Sequence, residues 1–340
     1  MRSTAGAEVA PAGRPAAWEV VRPRRPGPVA GVDMTGFRVP GGLGGGPADK
    51  RVDTASDGLL GGLAGGLRAV PHPAVTLLLT FGDSLPVVDD GTGPRRYGSL
   101  VAGPGFGAGG AVRAWGADLA CVQIRLSPLV ARAVLGVSPA ELGGAMVTLD
   151  EVWGPAAARV RERLGAATTW EDRFAVVDAV LAAGTDTRTD AWKGAPTDAR
   201  TAALADARTA ARSAPRGVDP EVARAWHRIR TARGLVRVDG LAAEVGWSRK
   251  RLWSRFQDQL GVAPKRAARL VRFDHAVHRL VAGDGPARVA AETGYADQSH
   301  LHREVMTFTG LTPAAAAAEP FLTIDDVAWP RRPLPLRSSR

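Results

Sequence analysis

The chain has little of several things, and each scarcity excludes a class of protein. A single cysteine, Cys121, stands among 340 residues. Neither an intramolecular disulfide nor a zinc site built from several thiolates can form, and a reducing compartment fits. No run approaches the ~18 to 20 consecutive apolar residues of a membrane span. The first residues, with Glu8, Arg14 and scattered glycine and proline, lack the apolar stretch of a signal peptide. A cytoplasmic protein with no membrane partner is the expectation. Lysine is scarce too: Lys50, Lys193, Lys250 and Lys265 are all there is, and arginine carries the rest of the positive charge. Hydrophobic residues make up 45% and charged residues 23% of the chain, which excludes full disorder and leaves enough apolar material for two domains of ordinary size.

The formal net charge of +10 is unevenly placed. From Arg216 to the end, 21 Lys+Arg face 13 Asp+Glu, a balance of +8, whereas residues 1–215 hold 23 against 21. An acidic partner such as nucleic acid is therefore expected on the last third.

Residues 1–16 lack periodicity and read as a disordered arm. Residues 17–184 read as a β-rich domain carrying a helical hairpin. Trp18 to Val21, Val75 to Phe81, Ser99 to Ala102 and Leu119 to Leu126 are apolar or β-branched runs separated by Gly- and Pro-rich loops, which predicts a small β-barrel or sandwich. Ser127-Pro128 and Ser138-Pro139 then look like helix starts, Ser138 with Glu141 at capping-box spacing. Apolar positions at helical intervals over 155–164 and 170–183 predict the hairpin. Residues 185–217, dominated by Ala, Thr, Asp and Arg, read as a linker. Asp219, Pro220 and Glu221 form a strong helix start, opening a domain over 218–318; 319–340 is a tail. The fold class is α+β, with a β N-terminal part and an all-α C-terminal part.

The most informative feature is an internal repeat. Ala242, Ala243, Glu244 and Gly246 match Ala290, Ala291, Glu292 and Gly294 at an offset of 48, and Leu252, Gly261 and Pro264 match Leu301, Gly310 and Pro313 at an offset of 49. Each copy has a short helix with a small residue where a second helix must approach. A glycine turn follows, then an aromatic (Trp247, Tyr295), a capping residue (Ser248, Asp297) and a second helix of about 12 residues: the outline of a helix-turn-helix. A third helix of ~19 residues from Pro264 joins the copies and spans roughly 28 Å at 1.5 Å per residue. That approaches the ~34 Å between successive major-groove openings on one face of a duplex.

Residues 219–318 thus resemble the DNA-binding domain of the AraC/XylS family of transcriptional regulators. The resemblance is most specific at Gly294-Tyr295-Ala296-Asp297-Gln298-Ser299-His300-Leu301, followed by Gly310-Leu311-Thr312-Pro313. It implies seven helices, two helix-turn-helix units and regulation of transcription. It further implies an N-terminal domain, cupin-like in layout, that binds a small-molecule effector or mediates homodimerisation, with RNA polymerase as a further partner. The sequence departs from the family at Leu301 and Val305, where phenylalanine is usual, and at Ala316 and Ala317, which replace Tyr-Arg.

Helical geometry assigns faces without the family. With Leu252 buried and roughly 100° between successive residues, Phe256 lies beside it, while Lys250, Trp253, Ser254 and Gln257 point away. From Leu301 the same rule buries Val305 and exposes Ser299, His302, Arg303 and Met306. Family contact positions give the same central pairs, Lys250 with Ser254 and Ser299 with Arg303, with Gln298 and His300 beside them. Arg303 suits bidentate pairing with guanine and Gln298 with adenine. Arg249, Arg251 and Arg255, with Arg266, Arg269 and Arg272 on the connecting helix, suit phosphates.

Other chemistry finds little support. Gly105 to Gly110 fits G-x-G-x-x-G, but no helix and no acidic residue follow at the spacing a dinucleotide needs. Cys121 sits in an apolar run without a histidine, as a core thiol does. The pairs His275/His278 and His300/His302 lack supporting carboxylates or thiols for a metal site. No cofactor is expected. The competing reading, an enzyme in residues 17–184 fused to a DNA-localising domain, has no acid/base or nucleophile pair to carry it.

Overall fold

A computed structural model describes residues 18–39, 66–82, 85–90, 93–106, 112–116, 119–182, 217–319 and 322. The expected arm, nearly all of the linker and nearly all of the tail lie outside the described residues. Ten strands come first: β1 (Glu19–Val21), β2 (Val32–Val39), β3 (Leu67–Ala69), β4 (Val75–Thr80), β5 (Val87–Asp89), β6 (Pro94–Arg96), β7 (Leu100–Ala102), β8 (Val112–Trp115), β9 (Leu119–Leu126) and β10 (Met146–Thr148). Interleaved with the last two and following them are α1 (Pro128–Leu135), α2 (Leu149–Trp153), α3 (Pro155–Ala166) and α4 (Trp170–Ala182). The strands form two antiparallel sheets, of order β1-β2-β9-β4-β7-β10 and β3-β8-β5-β6.

Strand β9 shows why the sequence takes this form. All eight of its residues are buried, because each face of the strand meets a different layer. Ala120, Val122, Ile124 and Leu126 join a core with Leu135, Trp153, Leu164 and Phe174 of the helices. Leu119, Cys121, Gln123 and Arg125, pointing the other way by the period of two, line a cavity of about 90 Å³ enclosed with the second sheet. Strand β4 divides likewise, with Val75, Leu77 and Leu79 toward the helices and Thr76 and Leu78 toward the cavity.

Four strands were legible as apolar runs; β2, β3, β5, β6, β8 and β10 were not. Strand β2 pairs with β9 along its whole length, yet Gly36 and the polar residues of VDMTGFRV hide it. Gly36 is there because the Trp170 ring lies against the strand: a Cβ at this position would come 2.5 Å from ring carbons. Helix α1 starts as expected, with Ser127 Oγ accepting from the Leu129 N–H at 3.4 Å. The Ser138–Glu141 spacing is a correction. Its two reciprocal hydrogen bonds form, at 2.8 and 3.3 Å, but they close a run of turns, not a helix, since Gly143 and Gly144 take positive φ and end any helical path. The first described residues after the 105–110 motif form strand β8, not a helix, which removes the dinucleotide reading.

The C-terminal region has seven helices among the described residues: α5 (Pro220–Thr231), α6 (Val238–Glu244), α7 (Arg249–Leu260), α8 (Pro264–Val281), α9 (Pro286–Glu292), α10 (Gln298–Thr309) and α11 (Pro313–Ala317). They share one core, which includes the fully buried Leu252, Phe256, Phe273, Leu301, Val305 and Ala316 and reaches Val70 of the β region. The two regions touch closely. A Cβ on Gly105 would meet Leu270 of α8 at 2.7 Å, and one on Gly261 would meet the Pro139 carbonyl at 2.4 Å. His72 is buried at this boundary. Its Nδ1 accepts from the Ala74 N–H at 3.1 Å, and its Nε2 lies 3.5 Å from Asp274 Oδ1 of α8. Burial, with the charges of Arg125, His278 and Arg230 adding to it, holds the imidazole well below its ordinary pKa.

Replacing Gly36 with alanine is expected to cost about 1 to 3 kcal/mol through overpacking against Trp170. Chemical denaturation checks this, and an unchanged midpoint would show that the ring moves aside freely.

Candidate nucleic-acid interface

Two recognition helices and the helix between them make the site. Each recognition helix is fixed at both ends by its own sequence. Ser248 Oγ accepts from the Arg251 N–H at 3.2 Å, and Asp297 Oδ1 accepts from the His300 N–H at 2.6 Å. Gly261 and Gly310 end the two helices in the left-handed region. Gly246 and Gly294, at φ 71° and 76°, make the turns before them. Connecting helix α8 has 18 residues, or roughly 27 Å of axis.

The expected exposure pattern holds. Arg249, Lys250, Arg251 and Trp253 are exposed and Ser254 is half-buried on α7; Gln298, Ser299, His302 and Arg303 are exposed and His300 is half-buried on α10. The helices present their polar stripes while Leu252, Phe256, Leu301 and Val305 turn inward. Several of these groups are already engaged. Ser254 Oγ donates to Asp258 at 3.2 Å, so its hydroxyl is partly spent within the helix. Arg249 lies 3.1 Å from Asp239 on α6, and the Arg251 guanidinium stacks on Trp247 at 4.4 Å. His300 Nδ1 accepts from the Ala296 N–H at 3.3 Å. The Arg303 guanidinium has no side-chain partner among the described residues and lines a groove of about 490 Å³ with Lys265, Arg269 and His300.

Two arginines expected to hold phosphates are engaged within the protein. Arg255 forms a two-pronged bond to Asp219, at 2.8 and 3.0 Å, tying α7 to the start of α5. This also corrects the role of Asp219, which sits at the cap position but makes no side-chain cap bond. Its carboxylate goes to Arg255 because a guanidinium supplies two charge-assisted donors where the helix end supplies one neutral one. Arg272 is 17% exposed and bonds Glu304 Oε1 at 2.8 Å. Arg269, more open, takes the other oxygen at 2.9 Å.

Glu304 is the residue that sequence reasoning missed. It lies on α10 between Leu301 and Val305, is 4% exposed, and accepts from Arg269, Arg272 and the Tyr295 hydroxyl, the last at 3.2 Å. Arg272 also stacks on the Tyr295 ring at 4.4 Å. Burial opposes the charge on Arg272, but the hydrogen bond and charge of Glu304 raise its pKa above the usual value. Burial first, then the Glu304 charge, push the Tyr295 phenol up. A signal was available: three residues past Leu301 is again the buried face.

Residues 241–318 match a family model described as a helix-turn-helix domain. No curated protein matches the chain. Among solved structures, the C-terminal domain of AraT, a response regulator from Geobacillus stearothermophilus, is similar at 18% identity. That match covers 29% of this chain and 85% of that one, with a TM-score of 0.28. ToxT from Vibrio cholerae O395 is similar at 8% identity over 87% of this chain and 99% of that one, with a TM-score of 0.41. Unsaturated fatty acid bound wild-type ToxT from Vibrio cholerae strain SCE256 is similar at 8% identity over 75% and 90%, with a TM-score of 0.38. Residues 241–318 are a helix-turn-helix domain.

Removing Glu304 as alanine leaves Arg272 buried without its counter-charge, and is expected to cost about 3 to 5 kcal/mol. Thermal and denaturant unfolding of the full chain measure it. A loss below about 1 kcal/mol would mean that the α8–α10 contact does not depend on this carboxylate.

Proposed function

We propose that the chain is a DNA-binding transcription regulator in which DNA reading by residues 218–318 is controlled by a small-molecule effector held in the β-rich part, residues 17–184. The observation that carries this reading is the double position of Arg125. Its side chain lines the cavity between the sheets and also a smaller pocket between the two regions, with His72, Trp226, Arg230 and Val271. It donates to Thr76, another cavity residue. A group that displaces Arg125 from inside the cavity therefore acts on the boundary with α8, the helix that spaces the recognition helices. The cavity is walled almost wholly by apolar side chains, with Thr76, Gln123 and Arg125 as its polar edge, which suits a compact apolar effector with one polar group.

Among the described residues the competing enzyme reading finds no thiolate nucleophile. The Cys121 thiol faces the cavity, but burial pushes its pKa up to about 12, far from the thiolate a nucleophile requires. The regulators to which the domain is similar are not enzymes. A homodimer and a contact with RNA polymerase belong to the same proposal, as does a cytoplasmic location. None of the described helices is long and apolar enough to cross a membrane.

In this reading Arg303 contacts a base edge, and Arg251 contacts phosphate. Gln298, Ser299, His300 and His302 support the first, and Arg249, Lys250, Trp253 and Ser254 complete the surface of α7. Arg303→Ala is expected to cost about 1 to 3 kcal/mol at one base position, while Arg251→Ala weakens all sequences alike and flattens the salt dependence. Titrations against specific and random duplexes separate the two, and equal losses on both for both variants would defeat the assignment.

Control by an effector predicts that compounds raising the melting temperature of the full chain change its DNA affinity by roughly 5-fold or more, and that Arg125→Ala uncouples the two. Stabilising compounds that leave DNA affinity untouched would remove the regulatory role.

A further inference from the structure

Four large hydrophobic side chains are exposed among the described residues, and two of them stand on the recognition helices: Trp253 at 54% and Met306 at 40%. Neither is needed for packing. Leu252 and Phe256 fill the core from α7, and Leu301, Val305 and Phe308 fill it from α10. Both exposed side chains lie in the outward stripe, three residues beyond a cation: Trp253 after Lys250 and Met306 after Arg303. They are not equivalent in the repeat. At the offset of 49, Trp253 stands where α10 has His302, and Met306 stands where α7 has Gln257.

An apolar group held in water one turn beyond a cation is matched to a surface that is anionic at its rim and apolar at a point within. The major groove offers one such point. The only apolar group on its base edges is the 5-methyl of thymine, set between rows of phosphates. We propose that Trp253 and Met306 read thymine methyl groups, one in each half-site, and that their unequal places in the repeat put the two thymines at different positions within the half-sites. The inference rests on the DNA-binding function of the domain. It commits the surface to duplex DNA over a protein partner because the cation one turn before each residue, Lys250 and Arg303, complements phosphate.

The experiment uses the full chain and duplexes that it selects from a random pool. Each thymine in the recovered motif is replaced singly by deoxyuridine, which removes only the methyl. One position in each half-site is expected to lose roughly 4-fold in affinity, the worth of one buried methyl-sized group. The loss in the first half-site vanishes in Trp253→Ala and that in the second vanishes in Met306→Ala. The thermal unfolding midpoint of the full chain stays unchanged in both variants, which shows them folded. Uracil tolerated at every position, or uracil sensitivity retained in both variants, overturns the proposal while leaving DNA binding intact. Recovery of no motif at all overturns the DNA reading with it and is seen before any base is replaced. A loss of self-association in Trp253→Ala, with uracil sensitivity unchanged, assigns the residue to a second copy of the chain instead.

Discussion

The carboxylate of Glu304 holds the second recognition helix on the connecting helix, and the geometry of the interface depends on it. A buried carboxylate is costly unless its oxygens are saturated with donors. Here Arg269 and Arg272, one helical turn apart on α8, take one oxygen each, and the Tyr295 hydroxyl shares Oε1. The arrangement is directional in a way that the surrounding Leu, Val and Phe contacts are not. Apolar packing would tolerate sliding of α10 along α8 by a fraction of a turn, whereas two guanidinium bonds fix its axial position. In the proposed reading, two surfaces that meet successive grooves of one duplex need that precision.

The first motif is secured by a different device. Its aromatic, Trp247, is half-buried and carries Arg251 on its face, while its counterpart Tyr295 is buried and carries Arg272. Both aromatics thus carry an arginine, but the two come from different places: Arg251 belongs to the first copy, whereas Arg272 belongs to the connecting helix and also bonds Glu304. The counterpart of Arg251 in the second copy is His300, which meets Tyr295 edge-on at 5.1 Å. Only the second motif's aromatic is therefore tied to the connecting helix by a cation.

The two-motif domain was legible because its signals are local: glycine turns, capping residues and apolar positions every three or four residues survive in any context. The exposure of Lys250, Trp253, Arg303 and Met306 followed from helical period alone. What could not be read was whatever depends on partners distant in sequence. Arg255 and Arg272 look like their phosphate-seeking neighbours until Asp219 and Glu304 are brought beside them by the fold. Five strands escaped notice because three or four residues carry too few alternations to stand out, and β2 because Trp170 demands a glycine in its middle. The contact of His72 with Asp274 joins residues about 200 positions apart, and nothing in either local stretch announces it.

That contact bears on how an event in the β-rich part is felt at the DNA. Helix α8 is gripped on one side by Glu304 through Arg269 and Arg272 and on another by Leu270 and Asp274, which meet Gly105 and His72 of the β region. These attachment points fall within six consecutive residues, less than two turns of helix. A displacement of Arg125 or His72 therefore has a short path to the anchor of the second recognition helix, with no flexible element between. The first recognition helix has its own link, since Gly261 at its end packs against the Pro139 carbonyl. The first reading helix thus rests against the β region at its own end, and the second is tied to it through α8, so both regions bear on how the two helices are held.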